Sequence, residues 1–256
     1  MSVLSGRRAV VTGASWGIGR AIAVQLAREG CTVVATARRR TWLEETVKDV
    51  KKAGQEGYVA VADLAKHDDI TRLAGFVQQQ VGGLDFLINV AFGDLEDPLE
   101  ECDDDELAHF IRVSVTGTMV LTRHLLPLFP ENAGHIVNIV ADWGLPMHNI
   151  MTDAMTPYIS AKHAISGFTQ ILRRELGLRS KPNLKVTGIY PGATASVDSE
   201  TETSYHVDDP IEKSGDLISL KDIARSVAFV LSLEHSTITH LVISPPSNLY
   251  NGLSEW

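Results

Sequence analysis

Cysteine and long apolar runs are both scarce in this chain, and each scarcity excludes a class of protein. Two cysteines among 256 residues, Cys31 and Cys102, build no disulfide framework, and nine histidines scattered without ligand spacing outline no metal site, so no metal is expected. Positive charge is also short. Against 32 acidic side chains stand 23 basic ones, a net charge of −9 that disfavours a phosphate-backbone partner, so nucleic acid is not expected to bind. No stretch has the apolar length needed to cross a membrane, and Met1 to Arg8 lacks the apolar core of a secretory signal. A cytoplasmic protein without a membrane partner is the expectation. Repeats and low-complexity linkers are missing too, and 44% hydrophobic residues suffice for one domain over 1–256.

What the chain does have is an alternation of short β-branched runs with longer amphipathic stretches, the pattern of βαβ units around a parallel sheet. Strands are expected at 9–12, 32–36, 57–61, 84–89, 135–140, 185–190 and 239–243, and helices near 17–29, 41–53, 67–81, 104–126, 157–178 and 220–233. The class is α/β, with a doubly wound, seven-stranded parallel sheet and helices on both faces. Ser219 followed by Asp222 reads as a capping box for the last helix. Asp103-Asp104-Asp105-Glu106 places negative charge where a helix dipole is positive, and needs no ligand to explain it. From Ala193 to Asp216 seven acids face the single Lys213. This segment follows a strand end, where such sheets bind ligands, so 193–216 is expected to form a lid over a substrate.

The strongest motif is Thr12-Gly13-Ala14-Ser15-Trp16-Gly17-Ile18-Gly19. It follows the first apolar strand and opens a helix, so Gly13 can make a tight turn while Gly17 and Gly19 bring backbone and helix N-terminus to a pyrophosphate. On the fifth helix Tyr158 and Lys162 are four residues apart and share a face. An ammonium beside a phenol favours the phenolate, lowering a tyrosine pKa that is about 10 when unperturbed.

The Gly-x-x-x-Gly-x-Gly spacing and the Tyr158-Ile159-Ser160-Ala161-Lys162 match to Tyr-x-x-x-Lys resemble the short-chain dehydrogenase/reductase family over nearly the whole chain. The resemblance implies a Rossmann-type fold and a nicotinamide dinucleotide along Gly13, Ser15, Trp16, Gly17, Ile18 and Gly19. Asp63, with Leu64, resembles the carboxylate that holds the adenine ring. Asn89 and Ala91 sit where the family places Asn-Asn-Ala-Gly, and Pro191-Gly192, with Thr194, where it places its nicotinamide-contacting turn. By the same resemblance Tyr158 exchanges a proton with a carbonyl or alcohol substrate, Lys162 tunes it and holds the nicotinamide ribose, and the protein is a homodimer or homotetramer built through 104–126 and 157–178. Ala164, Ile165, Phe168 and Ile171 fit either a core face or that contact. The Ile243 to Asn248 ending is similar to that of the family's 3-hydroxy-acid dehydrogenases.

At the end of the second strand, where an acid would bind the adenosine ribose hydroxyls, this chain reads Thr36-Ala37-Arg38-Arg39-Arg40. Guanidinium groups match a phosphate, so Arg38 and Arg39 favour NADP(H) over NAD(H). Trp16 could stack near the adenine or an arginine.

Three positions depart from the family pattern. Ala141 replaces the substrate-orienting serine, Ser114 the relay asparagine, and Phe92 the glycine of Asn-Asn-Ala-Gly. Candidate replacement donors are His148, Asn149, Thr152, Thr156 and a neutral Asp142; Met147, Ile150, Met151 and Met155 could line a substrate pocket or fill core gaps. Three functions stay open: an oxidoreductase, a cofactor-binding sensor or interaction protein, and a non-redox enzyme performing elimination or cyclisation.

Overall fold

The structure is a computed structural model that describes residues 2–131, 133–146, 155–179, 181–194 and 217–245. Its strands are β1 (Arg8–Thr12), β2 (Thr32–Ala37), β3 (Gly57–Val61), β4 (Phe86–Asn89), β5 (His135–Ile139), β6 (Lys185–Pro191) and β7 (His240–Ile243). The helices are α1 (Gly17–Arg28), α2 (Arg40–Lys52), α3 (His67–Val81), α4 (Asp104–Ile111), α5 (Gly117–Leu125), α6 (Thr156–Arg179) and α7 (Leu220–Ser232). All seven strands are parallel in the order β3-β2-β1-β4-β5-β6-β7. This is the doubly wound Rossmann-type arrangement. The order reverses between β1 and β4, opening a crevice at their carboxyl ends.

Period-two alternation within each buried strand creates the layers. In β1, Ala9 and Val11 join a core with Ile22 and Leu26 of α1, Leu43 and Val47 of α2, and Val227 of α7. Val10 points the other way, to Ile70 and Leu73 of α3, Leu121 of α5 and Leu172 of α6. β2 repeats the division, with Val33 and Ala35 on the first face and Val34 on the second. Along α6, Ile165 is buried while Ile171 is 64% exposed, so the apolar stripe serves both the core and an outer face.

Two helix starts are built as their sequences imply. Ser219 Oγ accepts hydrogen bonds from the Lys221 and Asp222 backbone N–H groups, and Asp103 caps α4 by accepting from those of Asp105 and Glu106.

The expected single helix over 104–126 is instead interrupted. Residues Arg112–Thr116 form a π-helical turn between α4 and α5. There the Ser114 hydroxyl accepts the Gly93 N–H at 2.8 Å, and Thr118 donates to the Ser114 carbonyl at 3.3 Å. Gly117, next along, lies so close to Leu64 that a Cβ would stand 2.4 Å from the Leu64 carbonyl oxygen. Periodicity misses the interruption because a π turn shifts the helix face without adding a polar or breaking residue.

Candidate active site

β1 and β4 end side by side, and their loops interlock. The Thr12 hydroxyl accepts from the Val90 and Ala91 backbone N–H groups at 2.9 and 3.0 Å. Gly13, at φ +63°, comes so near that a Cβ would lie 3.0 Å from the Ala91 nitrogen. A side chain on Gly19 would sit 2.3 Å from the Gly13 carbonyl oxygen, so glycine there lets α1 press onto its own loop. The result is a cleft of about 470 Å³ lined by Gly13, Ser15, Trp16, Gly17, Ile18, Gly19, Arg38, Arg39, Asp63, Leu64, Ala91, Phe92 and Thr194, among others.

A dinucleotide fits what these residues leave free. Trp16 occupies the N-cap position of α1 without a side-chain capping bond, which leaves first-turn N–H groups for an anion. The buried Thr36 hydroxyl, also in the cleft wall, finds no hydrogen-bond partner among the described residues. Asp63 lines the cleft with one carboxylate oxygen accepting the Ala65 N–H at 3.0 Å. Trp16 lies 5.0 Å, centroid to centroid, from Trp42, and the Arg39 guanidinium stands 4.8 Å over the Trp42 ring.

At the other end, Phe92 joins the cleft to Tyr158 and Lys162. Its ring meets Tyr158 edge to face at 5.3 Å and Phe110 at 5.4 Å, and Lys162 Nζ lies 3.5 Å from its centroid. The same Nζ is 5.2 Å from the Tyr158 ring. Burial takes the Lys162 ammonium down to about 7. Gly144 lets the turn after β5 approach, since a Cβ there would lie 2.8 Å from the Lys162 carbonyl oxygen. The start of α6 is held by the Met155 N–H donating to the Glu96 carbonyl at 3.1 Å.

The expected lowering of the Tyr158 pKa is not found. Burial raises it, and the carboxylates of Glu96, Asp142 and Asp94 raise it further. Helical spacing does not reveal the burial of the phenol, which is the largest cause, and the Lys162 Nζ lies nearer the Phe92 ring than the Tyr158 ring.

Asn89, expected at the cofactor, is buried behind the cleft wall. Its amide donates to the Asn138 side-chain oxygen at 2.8 Å and to Thr122 at 3.3 Å; Asn138 in turn donates to Thr169 at 2.8 Å. This chain of bonds fastens α6 to β4 and β5. Pro191 and Gly192 also stand outside the cleft lining, with Gly192 N–H bonded to the Ile243 carbonyl, while Thr194 reaches it. Ala141 offers no polar side chain. The neighbouring Asp142 is buried and accepts the Trp143 N–H at 2.8 Å. Thr156 is exposed on the first turn of α6. His148, Asn149, Thr152, Met147, Ile150 and Met151 lie outside the described residues, as do 195–216 of the expected lid and the ending from Pro246.

Sequence reasoning missed Trp42, Asn138 and Phe110. Asn138 had a legible signal, a lone amide inside the apolar strand Ile136-Val137-Asn138-Ile139-Val140, because a buried amide needs partners. Phe110 and Trp42 had none, since their partners are set by tertiary packing.

A second cleft, of about 600 Å³, opens at the amino ends of the strands. Within it Asp85 binds Arg7 at 3.2 Å and Arg8 at 2.9 Å, and Lys185 donates to the backbone carbonyls of Leu233, Glu234 and Ser236. Among the described residues no group of three or more His, Cys, Asp or Glu could hold a metal, and no helix is long and apolar enough to cross a membrane. Cys31 is buried, with its thiol pushed up to about 12 by burial.

Comparison with known proteins gives one consistent result. A family model described as short chain dehydrogenase matches residues 7–206. An uncharacterized oxidoreductase of Staphylococcus aureus is 31% identical over 96% of this chain and 100% of its own length. A metagenomic short-chain oxidoreductase solved in complex with NADP is 29% identical, with a TM-score of 0.79 over 95% of this chain and 99% of that one. A short-chain dehydrogenase from Burkholderia cenocepacia, also in complex with NADP, is 27% identical, with a TM-score of 0.81 over 95% and 98%.

Proposed function

The chain belongs to the short-chain dehydrogenase family, and from that premise we propose that it is an NADP(H)-dependent oxidoreductase that reduces the carbonyl group of a small molecule to an alcohol. The observation that carries this reading is one cleft with Arg38 and Arg39 at one end and Phe92, backed by Tyr158 and Lys162, at the other. The relatives solved with NADP support the same cofactor.

Gly13, Gly17 and Gly19, with the free first turn of α1, hold the pyrophosphate, and Asp63 and Leu64 border the adenine. Arg38 and Arg39 meet the 2′-phosphate, where a guanidinium offers bidentate hydrogen bonds. Thr194 borders the nicotinamide end. When bound, the dinucleotide supplies a hydride to the carbonyl carbon. Tyr158 gives its phenolic proton to the carbonyl oxygen. Because burial and nearby carboxylates raise its pKa, Tyr158 is a phenol at neutral pH, the form that reduction requires. Lys162 steadies the resulting phenolate from the same helical face. Ser114 is committed to the Gly93 N–H and serves the loop that carries Phe92. Assembly into a homodimer or homotetramer belongs to the same proposal and is supported by exposed Ile171 and Leu178 on α6.

Fluorescence titration with NADPH and NADH, followed by NADPH consumption over a panel of carbonyl compounds, tests the reading. NADPH should bind over tenfold more tightly and be consumed with at least one carbonyl. Equal affinities would overturn the cofactor assignment, and tight binding without consumption would point to a sensor. Product formed with no cofactor oxidised would point to elimination or cyclisation.

A further inference from the structure

Trp42 lies on neither the glycine loop nor the arginine segment, yet it touches both. Its ring packs 5.0 Å from Trp16 of the glycine loop, and the Arg39 guanidinium lies 4.8 Å over its centre. Its backbone is fastened as well. The Thr46 hydroxyl contacts the Trp42 carbonyl at 3.1 Å and the Ala14 carbonyl of the glycine loop at 2.8 Å. One helical turn further along α2, Asp49 binds Arg20 of α1 at 2.7 Å. The indole thus sits on an anchored helix, between Trp16 of the glycine loop and Arg39.

An exposed arginine samples many rotamers and loses that freedom when it grips a ligand. A guanidinium already resting on an aromatic face has part of the ordering done and is held by the ring's quadrupole. We propose that Trp42 is a positioning residue that orients Arg39 toward the 2′-phosphate of the adenosine ribose and so sets the preference for the phosphorylated dinucleotide. The inference rests on the cofactor assignment above. Trp16 is the second contact of the same ring, so one indole touches both the glycine loop and the arginine.

Equilibrium binding of NADPH and NADH, measured without turnover on wild type, Trp42→Leu, Trp42→Phe, Arg39→Ala and the Arg39→Ala/Trp42→Leu double variant, tests it. Leucine keeps the apolar bulk and removes the ring face; phenylalanine keeps the face. Trp42→Leu should lower the NADPH-over-NADH preference by about threefold to fivefold, the effect of one exposed cation–π contact, with NADH affinity changed less than twofold. Trp42→Phe should keep most of the preference. The double variant should lose no more preference than Arg39→Ala alone, since the two residues act as a unit. An unchanged preference in Trp42→Leu, while Arg39→Ala lowers it, would overturn the inference and leave the cofactor assignment standing. Equal weakening of both dinucleotides in Trp42→Leu would mark a merely structural role and overturn it too. Equal affinities in wild type would remove the cofactor assignment first, and this inference with it.

Discussion

Lys162 Nζ rests 3.5 Å from the centre of the Phe92 ring. The ring covers the ammonium and helps keep water from it, and burial takes its pKa down to about 7. A depressed lysine pKa means that the charged form is present below about 7 and lost above it. Activity that depends on the Lys162 charge should therefore fall as pH rises through neutrality. Phe92→Gly, which admits water, should move that fall upward by one unit or more, because desolvation is the cause of the shift. The pH profile of kcat/KM for both proteins checks this; superimposable profiles would contradict it.

The same burial has a stability consequence. Between about 7 and the unperturbed lysine value near 10.4 the unfolded chain holds a proton that folded Lys162 releases, so stability rises with pH across that window. Lys162→Met should remove turnover yet raise the thermal midpoint at pH 7 by a few degrees, about 2–4 °C for each kcal/mol in a chain of this size. Calorimetry at pH 7 reads it directly; a lower midpoint would oppose the account.

Much of the framework is legible in the sequence. Apart from the helix over 104–126, strand and helix positions agree to within two residues, because the central strands are runs of buried β-branched residues and the helices pack an apolar stripe against them. The interruption at Arg112–Thr116 was not readable, since it depends on Ser114 meeting Gly93 and on Gly117 meeting Leu64, contacts between segments distant in sequence. The glycine loop and the arginines were legible as motifs, and the cleft brings them together. That Asn138 and Thr122 accept from the Asn89 amide was not legible from its motif position. The Tyr158 pKa was given the wrong sign because helical spacing shows Lys162 beside the tyrosine but neither the burial of the phenol nor the charges of Glu96, Asp142 and Asp94.

Gly117→Ala should weaken NADPH binding on the order of tenfold. The new Cβ would stand 2.4 Å from the Leu64 carbonyl and 2.9 Å from that of Arg112, both backbone atoms, so the edge of the cleft at Leu64 must shift. Overpacking of this kind typically costs about 1–3 kcal/mol. Fluorescence titration checks it, and an unchanged dissociation constant would show that the contact does not shape the cleft.

Ser114→Ala leaves the Gly93 N–H without its acceptor. The expected cost is about 1–3 kcal/mol, since a lost partner exposes the full desolvation penalty of the group left behind. Urea unfolding measures it; a loss well under 1 kcal/mol would mean that water replaces the hydroxyl.

His135 is buried, and its ring bonds the Thr187 hydroxyl at 2.7 Å, which itself donates to the Ile238 carbonyl. The imidazole nitrogen must then be the donor, in a neutral ring. Burial, aided by the Lys185 ammonium, lowers its pKa from 6.5 to about 3. Below about 6.5 the unfolded chain gains a proton that the folded chain refuses, so stability should fall as pH drops from 6.5 toward 3, by about 2 kcal/mol at pH 5. His135→Gln cannot titrate and should show a shallower decline in urea unfolding at pH 7 and pH 5. Equal declines would assign the acid sensitivity to other groups.

The central claim is that Tyr158 protonates a carbonyl while the cleft holds NADPH. Its most direct test pairs NADPH binding with NADPH consumption for wild type and Tyr158→Phe on one active carbonyl substrate. The account predicts dissociation constants within about threefold of each other and a turnover loss of about a hundredfold to ten-thousandfold in the variant, the range for removing a general acid. Equal turnover by both proteins would contradict it.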